Sequence, residues 1–150
     1  MNAQWKIREA EIDDAPGLES CMSAAYAMYE KRFDGLQLPP MTLDYADEIR
    51  NHPTWVAAAD EVVAGGLTMT FDGDNATISN IAVHPEFQGQ GLGGGLMSFA
   101  EAQARDRGYT VLRLATHVRL KENVELYRHL GWNETNRDDT RVYMSKTLDS

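Results

Sequence analysis

The sequence predicts one α/β domain in which helices flank a mixed β-sheet. A length of 150 residues is typical of a single domain. Strand patterns alternate with helical patterns in the second half of the chain, whereas several short strands follow one another in its middle. The predicted order is a strand, two helices, three or four antiparallel strands, a helix, a strand, a helix and two closing strands. We therefore expect a central twisted sheet of six to seven strands flanked by about four helices.

Composition and charge exclude several classes of protein. The formal net charge of −9 argues against non-specific nucleic-acid binding, which depends on Lys and Arg, although it suits a cationic substrate. No segment approaches the roughly 18 apolar residues of a membrane span, and the first residues lack the apolar core of a signal peptide. The single cysteine, Cys21, excludes an internal disulfide and suits a reducing compartment. We expect a cytoplasmic protein with no nucleic-acid or membrane partner.

The first part of the chain predicts a strand and two helices. Gln4–Glu9 alternates apolar and charged residues, which is typical of a half-buried strand. Asp13-Asp14-Ala15-Pro16 predicts the start of a helix, with an aspartate cap and a proline in the first turn. The apolar face of this helix continues to about Phe33, and Thr42 could cap a short second helix that ends near Arg50.

The middle of the chain predicts a run of antiparallel strands. Thr54–Ala59 and Val62–Phe71 form a hairpin around Asp60-Glu61. Gly65-Gly66 inside the second strand indicates a bulge or a close backbone approach. The turn Asp72–Asn75 then leads into the next strand.

The most informative stretch runs from Ile78 to Gly95 and reads ISNIAVHPEFQGQGLGGG. Its β-branched first part predicts a strand packed on both faces, and His84-Pro85 ends this strand because proline has no N–H for a sheet. After a glycine-dense loop, apolar residues from Leu92 onward recur at helical spacing until Asp106-Arg107-Gly108. A strand, a glycine loop and a helix start therefore follow one another directly.

This succession favours the binding of a phosphate or pyrophosphate. The first N–H groups of a helix have no internal partner, and glycines let further N–H groups point into one concavity. A glycine-rich turn that binds nothing is the simpler alternative, but each of three consecutive glycines would cost the helix about 1 kcal/mol relative to alanine. A Walker A loop would need Lys where Leu96 stands, and a dinucleotide fingerprint would lie nearer the start of the fold.

The rest of the chain predicts a strand, a helix and a closing hairpin. Tyr109–Thr116 is expected to be a central strand, and Lys121–Leu130 a short helix that Gly131 ends. Trp132–Asn136 and Arg141–Thr147 predict the hairpin, which could pair between the subunits of a homodimer.

The glycine loop carries a family resemblance. Gln88-Gly89-Gln90-Gly91-Leu92-Gly93, preceded by a strand ending in Ala82-Val83-His84-Pro85, resembles the Gln/Arg-x-x-Gly-x-Gly/Ala signature of the GCN5-related N-acetyltransferases (GNAT superfamily). The predicted element order is similar to the GNAT fold over essentially the whole chain. The resemblance implies a sheet with splayed strands at an acetyl-CoA site, and transfer of an acetyl group from acetyl-CoA to a small-molecule or peptide amine.

A second motif lies on the predicted short helix. Asn123 and Tyr127 are four residues apart and share a face, and with Gly131-Trp132 they resemble the family's Asn-x-x-x-x-Tyr-x-x-x-Gly-Phe/Trp element. The resemblance implies that Asn123 contacts the pantetheine arm and that Tyr127 is the catalytic residue, a general acid that protonates the leaving thiolate. In the structural alternative, Tyr127 is a core aromatic and Asn123 a helix cap.

The resemblance also assigns acetyl-CoA contacts to the strand and the loop. The strand residues would pair with the amides of the pantetheine arm, an N–H near Val83 could polarise the thioester carbonyl, and the loop N–H groups would hold the pyrophosphate. The cofactor-binding residues expected on this basis are Ile81, Ala82, Val83, Gln88, Gly89, Gln90, Gly91, Leu92, Gly93, Gly94 and Asn123.

The proton acceptor is the least defined part of the expected site. Many members of the family have a Glu where Thr77 stands, and Thr cannot act as a base. The alternatives are a water chain, His84, or an acidic residue such as Asp60 or Glu30. This departure also leaves open a CoA-binding module without transferase activity, although Tyr127 argues against it; a nucleotide-binding domain is a third alternative.

Other side chains carry weaker signals. His117 and His129 lack metal-ligand spacing to a cysteine or carboxylate, so we assign no metal. Cys21 lies on the apolar face of the first helix and is a poor acyl-enzyme nucleophile. The aromatic residues of the first two helices could line a slot for a cationic acceptor, but most are expected in the core; they are Tyr26, Tyr29, Phe33 and Tyr45.

Overall fold

The computed structural model describes residues 5–27 and 43–148, which form seven strands and four helices. The helices are α1 (Ala15–Ala27), α2 (Tyr45–Asn51), α3 (Leu92–Asp106) and α4 (Lys121–His129). The strands are β1 (Lys6–Glu9), β2 (Thr54–Ala59), β3 (Val62–Asp72), β4 (Asn75–Val83), β5 (Val111–His117), β6 (Asn133–Arg137) and β7 (Arg141–Thr147). They form one sheet in the order β1-β2-β3-β4-β5-β7-β6, in which β4 and β5 are parallel and β5 and β7 antiparallel. The predicted mixed sheet is confirmed.

Contacts divide the chain into two compact units. The first comprises the described parts of Met1–Met69 together with Asn80–Phe99, and the second comprises those of Thr70–Ser79 and Ala100–Ser150. In the first unit, apolar side chains of α1 and α2 pack with those of β2 and β3. This cluster is made of Leu18, Cys21, Met22, Tyr45, Val56 and Val63. The apolar face expected on the first helix is therefore the core of this unit.

The second unit is organised around β5. It pairs with β7 from Val111↔Thr147 to His117↔Arg141, and β7 pairs with β6 at its other edge. The Phe71 ring contacts the Tyr109 ring at a centroid distance of 5.6 Å, and the Tyr109 hydroxyl donates to Gly73 O at 3.2 Å. These contacts join the turn before β4 to the segment before β5.

Two expected helix caps are corrected. Asp14 does not cap α1: its carboxylate accepts hydrogen bonds from the Arg8 guanidinium and from the Glu11 N–H, both at 2.7 Å. These observed partners lie upstream, because Asp14 belongs to a short 3-10 turn at 12–14 that precedes the α-helix. The cap of α2 is Asp44, whose side chain accepts from the Asp47 N–H at 3.2 Å. The proposed cap Thr42 and the predictions for Tyr29, Glu30 and Phe33 lie outside the described residues.

The expected bulge in β3 is confirmed. The register with β2 shifts between Ala57 and Ala58, opposite Gly65. A Cβ on Gly65 would come within 3.1 Å of Ala82 O, and one on Gly66 would collide with Leu18. Glycines stand here because neighbouring atoms occupy the space that a side chain would take.

The expectation that β4 is packed on both faces is wrong. Ile78 is buried, but Ser79 is exposed, and Ile81 and Val83 are only partly buried. The burial alternates along the strand, so one face lies in the core and the other is open over much of its length. None of the helices in the described ranges combines the length and apolar character needed to cross a membrane.

Candidate active site

The loop that follows β4 is held by a histidine cap. The Nδ1 atom of His84 accepts a hydrogen bond from the Glu86 N–H at 3.1 Å, at the start of the 3-10 turn Pro85–Phe87. The Gln88 side chain donates back to Val83 O at 3.4 Å. These contacts fix the direction in which the chain leaves the strand and enters the glycine loop.

The glycine loop presents a run of main-chain donors. The first hydrogen bond of α3 runs from the Gly95 N–H to Gly91 O at 3.0 Å. Among the residues that the structure describes, none accepts a hydrogen bond from the N–H groups of residues 89–94. The first turn of a helix always leaves N–H groups without internal partners, and here the loop before the helix adds more of them. All of these donors are available to a ligand.

Two loop glycines are required by backbone conformation. Gly89 has a φ of 81° and Gly91 a φ of 82°, both in the left-handed region that residues with a side chain rarely adopt. A Cβ at either position would meet no atom within 4 Å, so crowding is not the cause. Left-handed residues interspersed in a loop turn successive N–H groups toward one concavity, which is an arrangement that binds anions.

The space available to a side chain differs among the three consecutive glycines at the start of α3. A Cβ on Gly95 would lie 2.7 Å from the Trp5 ring, so packing excludes a side chain there. A Cβ on Gly94 would meet no atom within 4 Å, and one on Gly93 would make an ordinary contact of 3.8 Å with Val83. Crowding by the described residues therefore requires neither Gly93 nor Gly94, and the space beside Gly94 is open.

The other expected loop and strand residues contribute mainly through their backbone. Leu92 is 1% exposed, so its side chain belongs to the core and only its N–H is available. Within the second unit, β4 pairs with β5 at Ala76↔Leu112 and Thr77↔Arg113, and the ladder extends to neither Ile78 nor Ser79. Within this unit, the parallel pairing therefore stops at Thr77, the third residue of β4.

Helix α4 carries the second group of expected site residues. Its N-cap is Leu120, which makes no side-chain capping bond, so the alternative that Asn123 caps the helix is wrong. Asn123 and Tyr127 are both half-buried. The Tyr127 ring lies 6.1 Å from the Trp132 ring, and Tyr127 O accepts the Trp132 N–H at 2.9 Å. The turn at Gly131, with a φ of 96°, thus brings Trp132 against the tyrosine and restrains its ring.

The side chains considered as bases have distinct surroundings. Thr77 lies within the ladder to β5, opposite Arg113. His84 uses its Nδ1 for the Glu86 N–H, which leaves only Nε2 for proton transfer. Asp60 is exposed at the β2–β3 turn, where its φ is 57°. None of these observations selects one of them as the base.

The remaining titratable candidates are structural. Cys21 is 1% exposed, and burial raises its pKa to about 11, so the thiolate needed for nucleophilic attack is disfavoured. His117 caps a turn through Nδ1, which accepts the Arg119 N–H at 3.1 Å. Within the described ranges, no group of three or more His, Cys, Asp or Glu side chains is arranged to hold a metal ion.

One buried polar residue was missed in the sequence. Asn80 on β4 is 6% exposed, and its Nδ2 donates to the Tyr45 hydroxyl at 3.2 Å. Tyr45 is 2% exposed, as expected for a core aromatic. The signal was present in the pattern, because Asn80 stands between Ile78 and Ala82 on the inward face of the strand, where an apolar residue is expected.

The structure is thus an α/β protein with a run of main-chain N–H groups that have no described acceptor at a strand-to-helix junction. A profile of the acetyltransferase (GNAT) family matches residues 19–132, and the chain belongs to this family. It is accordingly an N-acetyltransferase, and the recognition made from the loop and helix motifs is confirmed.

Two relatives and one solved structure illustrate the similarity. The thialysine N-epsilon-acetyltransferase of Sus scrofa is 37% identical over 141 residues, covering 83% of this chain and 82% of the relative. The uncharacterised N-acetyltransferase YjgM of Escherichia coli K12 is 29% identical over 134 residues, covering 84% and 80%. The PaiA N-acetyltransferase of Thermoplasma acidophilum, solved in complex with coenzyme A, superimposes with a TM-score of 0.83 at 17% identity, covering 97% and 99%. The last comparison confirms the GNAT fold.

Proposed function

We propose that this enzyme binds acetyl-CoA and transfers its acetyl group directly to a primary amine, with its 150 residues acting as one catalytic domain. The observation that carries the proposal is the run of main-chain N–H groups without acceptors at residues 89–94, shaped by left-handed Gly89 and Gly91. Such a concavity fits the pyrophosphate of a CoA thioester, whose negative charge the start of α3 also favours.

The remaining contacts with acetyl-CoA are assigned by family resemblance. The main chain of Ile81, Ala82 and Val83 would pair with the amides of the pantetheine arm, in the manner of an added strand. The open face of β4 and the end of its pairing at Thr77 support this assignment. Asn123 would contact the same arm with its side chain.

The transfer step needs a deprotonated amine and a proton donor for the leaving group. The amine nitrogen attacks the thioester carbonyl carbon, a C–N bond forms, and the C–S bond then breaks with its electron pair on sulfur. The Tyr127 hydroxyl gives its proton to this sulfur, and the additional proton of the amine passes to water. The products are an amide and the free thiol of CoA, and the phenolate regains its proton from solvent.

The acceptor is proposed to be an aliphatic primary amine. The relative from Sus scrofa acts, by its name, on thialysine, and the net charge of −9 of the present chain would attract a cationic molecule. Thialysine and lysine are therefore the first members of an acceptor panel, followed by polyamines and peptides with a free N-terminus.

Calorimetric titration with acetyl-CoA tests the ligand, with ATP and NAD as controls. We expect micromolar binding of acetyl-CoA alone, followed by release of CoA thiol when a suitable amine from the panel is added. Absence of acetyl-CoA binding would contradict the proposal. Binding without thiol release for any amine would instead favour a CoA-binding module without transfer.

We also propose that β6 is a surface for self-association. All five residues of β6 are exposed, and the strand is the last in the sheet order, so its outer edge is unpaired within the described sheet. Light scattering after size-exclusion chromatography measures the mass directly, and a mass near 16.8 kDa at all concentrations would rule out a homodimer.

A further inference from the structure

Asn80 contains a buried acceptor atom that lacks a donor. Within the described part of the chain, its Oδ1 is one of two buried side-chain polar atoms without a hydrogen-bond partner, the other being Trp132 Nε1. The other end of the same amide is satisfied, because Nδ2 donates to the Tyr45 hydroxyl at 3.2 Å. The amide is therefore fixed by one bond, and its oxygen has no donor among the described protein residues.

A buried acceptor needs a donor. Leaving a buried polar group without a partner costs about 1–3 kcal/mol, whereas an apolar side chain at the same position would bring no such penalty. Asn80 is 6% exposed, and Ala82, two residues further along the same face of β4, packs against the cluster of α1 and α2. The amide thus lies beside an apolar cluster, where the Tyr45 hydroxyl is its described polar partner.

The chemistry of the site defines the missing partner. A carboxamide oxygen only accepts hydrogen bonds, so the partner must bring an N–H or O–H group. Burial raises the pKa of the neighbouring Tyr45 phenol, and the nearby Glu48, Cys21 and Glu19 raise it further. Negative charge around the amide favours a cationic or amine donor over an anion.

We propose that Asn80 Oδ1 accepts a hydrogen bond from the N–H of the amine that is to be acetylated, so that Asn80 is an acceptor-binding residue. The inference rests on the proposed function, in which the thioester arm lies along Ile81–Val83, immediately after Asn80. A hydrogen bond from one N–H orients the amine, so that its lone pair can face the thioester carbon. Asn80 cannot remove a proton, and it therefore positions an amine that has already lost one.

The test replaces Asn80 with leucine, which has a similar size and no acceptor. We expect Asn80→Leu to lower kcat/KM for the amine by about tenfold or more, which is the loss of roughly 1.4 kcal/mol of interaction. The KM for acetyl-CoA should stay within about twofold of the wild-type value. Thr68→Val is the matched control, because it removes another buried polar group of the same unit and should leave both kinetic constants unchanged.

A second variant covers the case in which Asn80→Leu does not fold. Asn80→Asp keeps an acceptor oxygen and adds a negative charge, so we expect it to lower the KM for a cationic amine and to lower kcat by holding the amine in its protonated form. Unchanged amine constants in either variant would overturn the inference and favour a water molecule as the partner of Oδ1. Wild-type turnover of an amine is the separate test of the proposed function, and its absence would overturn both.

Discussion

In the proposed site, the loop at residues 88–94 and the helix α4 would contact acetyl-CoA in opposite ways. The loop offers main-chain N–H groups, and its buried Leu92 serves the core instead of the site. Helix α4 offers the side chains of Asn123 and Tyr127, on backbone whose carbonyls and amides are engaged within the helix and its C-terminal turn. The two regions lie in different units of the chain.

This difference determines what each region can tolerate. A site made of backbone depends on φ and ψ, so it is insensitive to most side chains and sensitive to any change at Gly89 or Gly91. A site made of side chains depends on single functional groups, which a substitution can remove without moving the backbone. Replacing one group in α4 should therefore affect chemistry, whereas replacing one glycine in the loop should affect binding.

The largest effect is expected for Tyr127→Phe. Removing a general acid typically costs a factor of 10² to 10⁴ in rate, so we expect kcat to fall by at least about 10² while acetyl-CoA affinity is retained. The ring remains to pack against Trp132. Thiol release at several neutral pH values measures kcat, and calorimetry measures the affinity.

Tyr109→Phe is the matched control for Tyr127→Phe. It also removes a hydrogen-bonded hydroxyl from a partly buried tyrosine of the same unit. Its kcat should equal that of the wild type. If Tyr127→Phe also keeps the wild-type rate with a good acceptor, Tyr127 is not the general acid.

A smaller effect, on binding alone, is expected for Gly91→Ala. A residue with a Cβ loses roughly 1–2 kcal/mol in the left-handed conformation, and the loop would relax by turning its N–H groups away from the pyrophosphate. We expect the Kd for acetyl-CoA to rise by about tenfold, the equivalent of 1.4 kcal/mol. Calorimetric titration of the variant gives this value.

Gly108→Ala is the matched control for Gly91→Ala, because it introduces similar backbone strain away from the proposed ligand site. Gly108 has a φ of 87°, and a Cβ there would also meet no atom within 4 Å, but it lies at the end of α3. Both variants should lose similar stability in urea, and only Gly91→Ala should bind acetyl-CoA more weakly. Equal affinities of the two variants would show that the loop backbone does not hold the ligand.

The smallest effect concerns the turn that leads into α4. Burial, with the positive charges of Arg119 and Arg141, lowers the pKa of His117 from its ordinary value of 6.5. The neutral ring accepts the Arg119 N–H, and it therefore stabilises the fold at pH values above the pKa of His117 in the unfolded chain. This contribution is lost as the pH falls through the lower native pKa.

His117→Asn keeps an acceptor for the Arg119 N–H and removes the titration. We expect the variant to gain stability relative to the wild type when the pH is lowered from 7.5 to 5. The change in the difference between their free energies of unfolding should be less than about 1 kcal/mol. Urea denaturation at both pH values measures the difference. A constant difference between the two pH values would mean that His117 does not link this turn to pH.

Local patterns predicted the elements well because their signals lie within a few residues of one another. The hairpin at Asp60, the end of β4 at His84-Pro85 and the end of α4 at Gly131 all follow from turn chemistry. The same patterns located the glycine loop, whose N–H groups have no described acceptor, since its glycines are close together in the chain. The side chains that the resemblance assigns to ligand contacts remain predictions.

The errors arose at residues whose role depends on contacts that the local sequence pattern does not show. Three glycines in a row looked equivalent in the sequence, but Gly95 is explained by Trp5, 90 positions earlier. Asp14 looked like a helix cap, but Arg8 and Glu11 occupy its carboxylate. The local pattern of β4 could mark Asn80 but could not identify its partner, Tyr45, which lies on a helix 35 positions away.

The unpartnered N–H groups of residues 89–94 also govern how fast these amides exchange with deuterium. A main-chain hydrogen without an acceptor exchanges from the folded protein with little need for local opening. These positions should therefore label among the fastest in the free enzyme, although they directly precede the hydrogen-bonded body of α3. A ligand that engages them would slow their labelling without any change in fold, so exchange at this loop reports occupancy even for a compound that is never turned over.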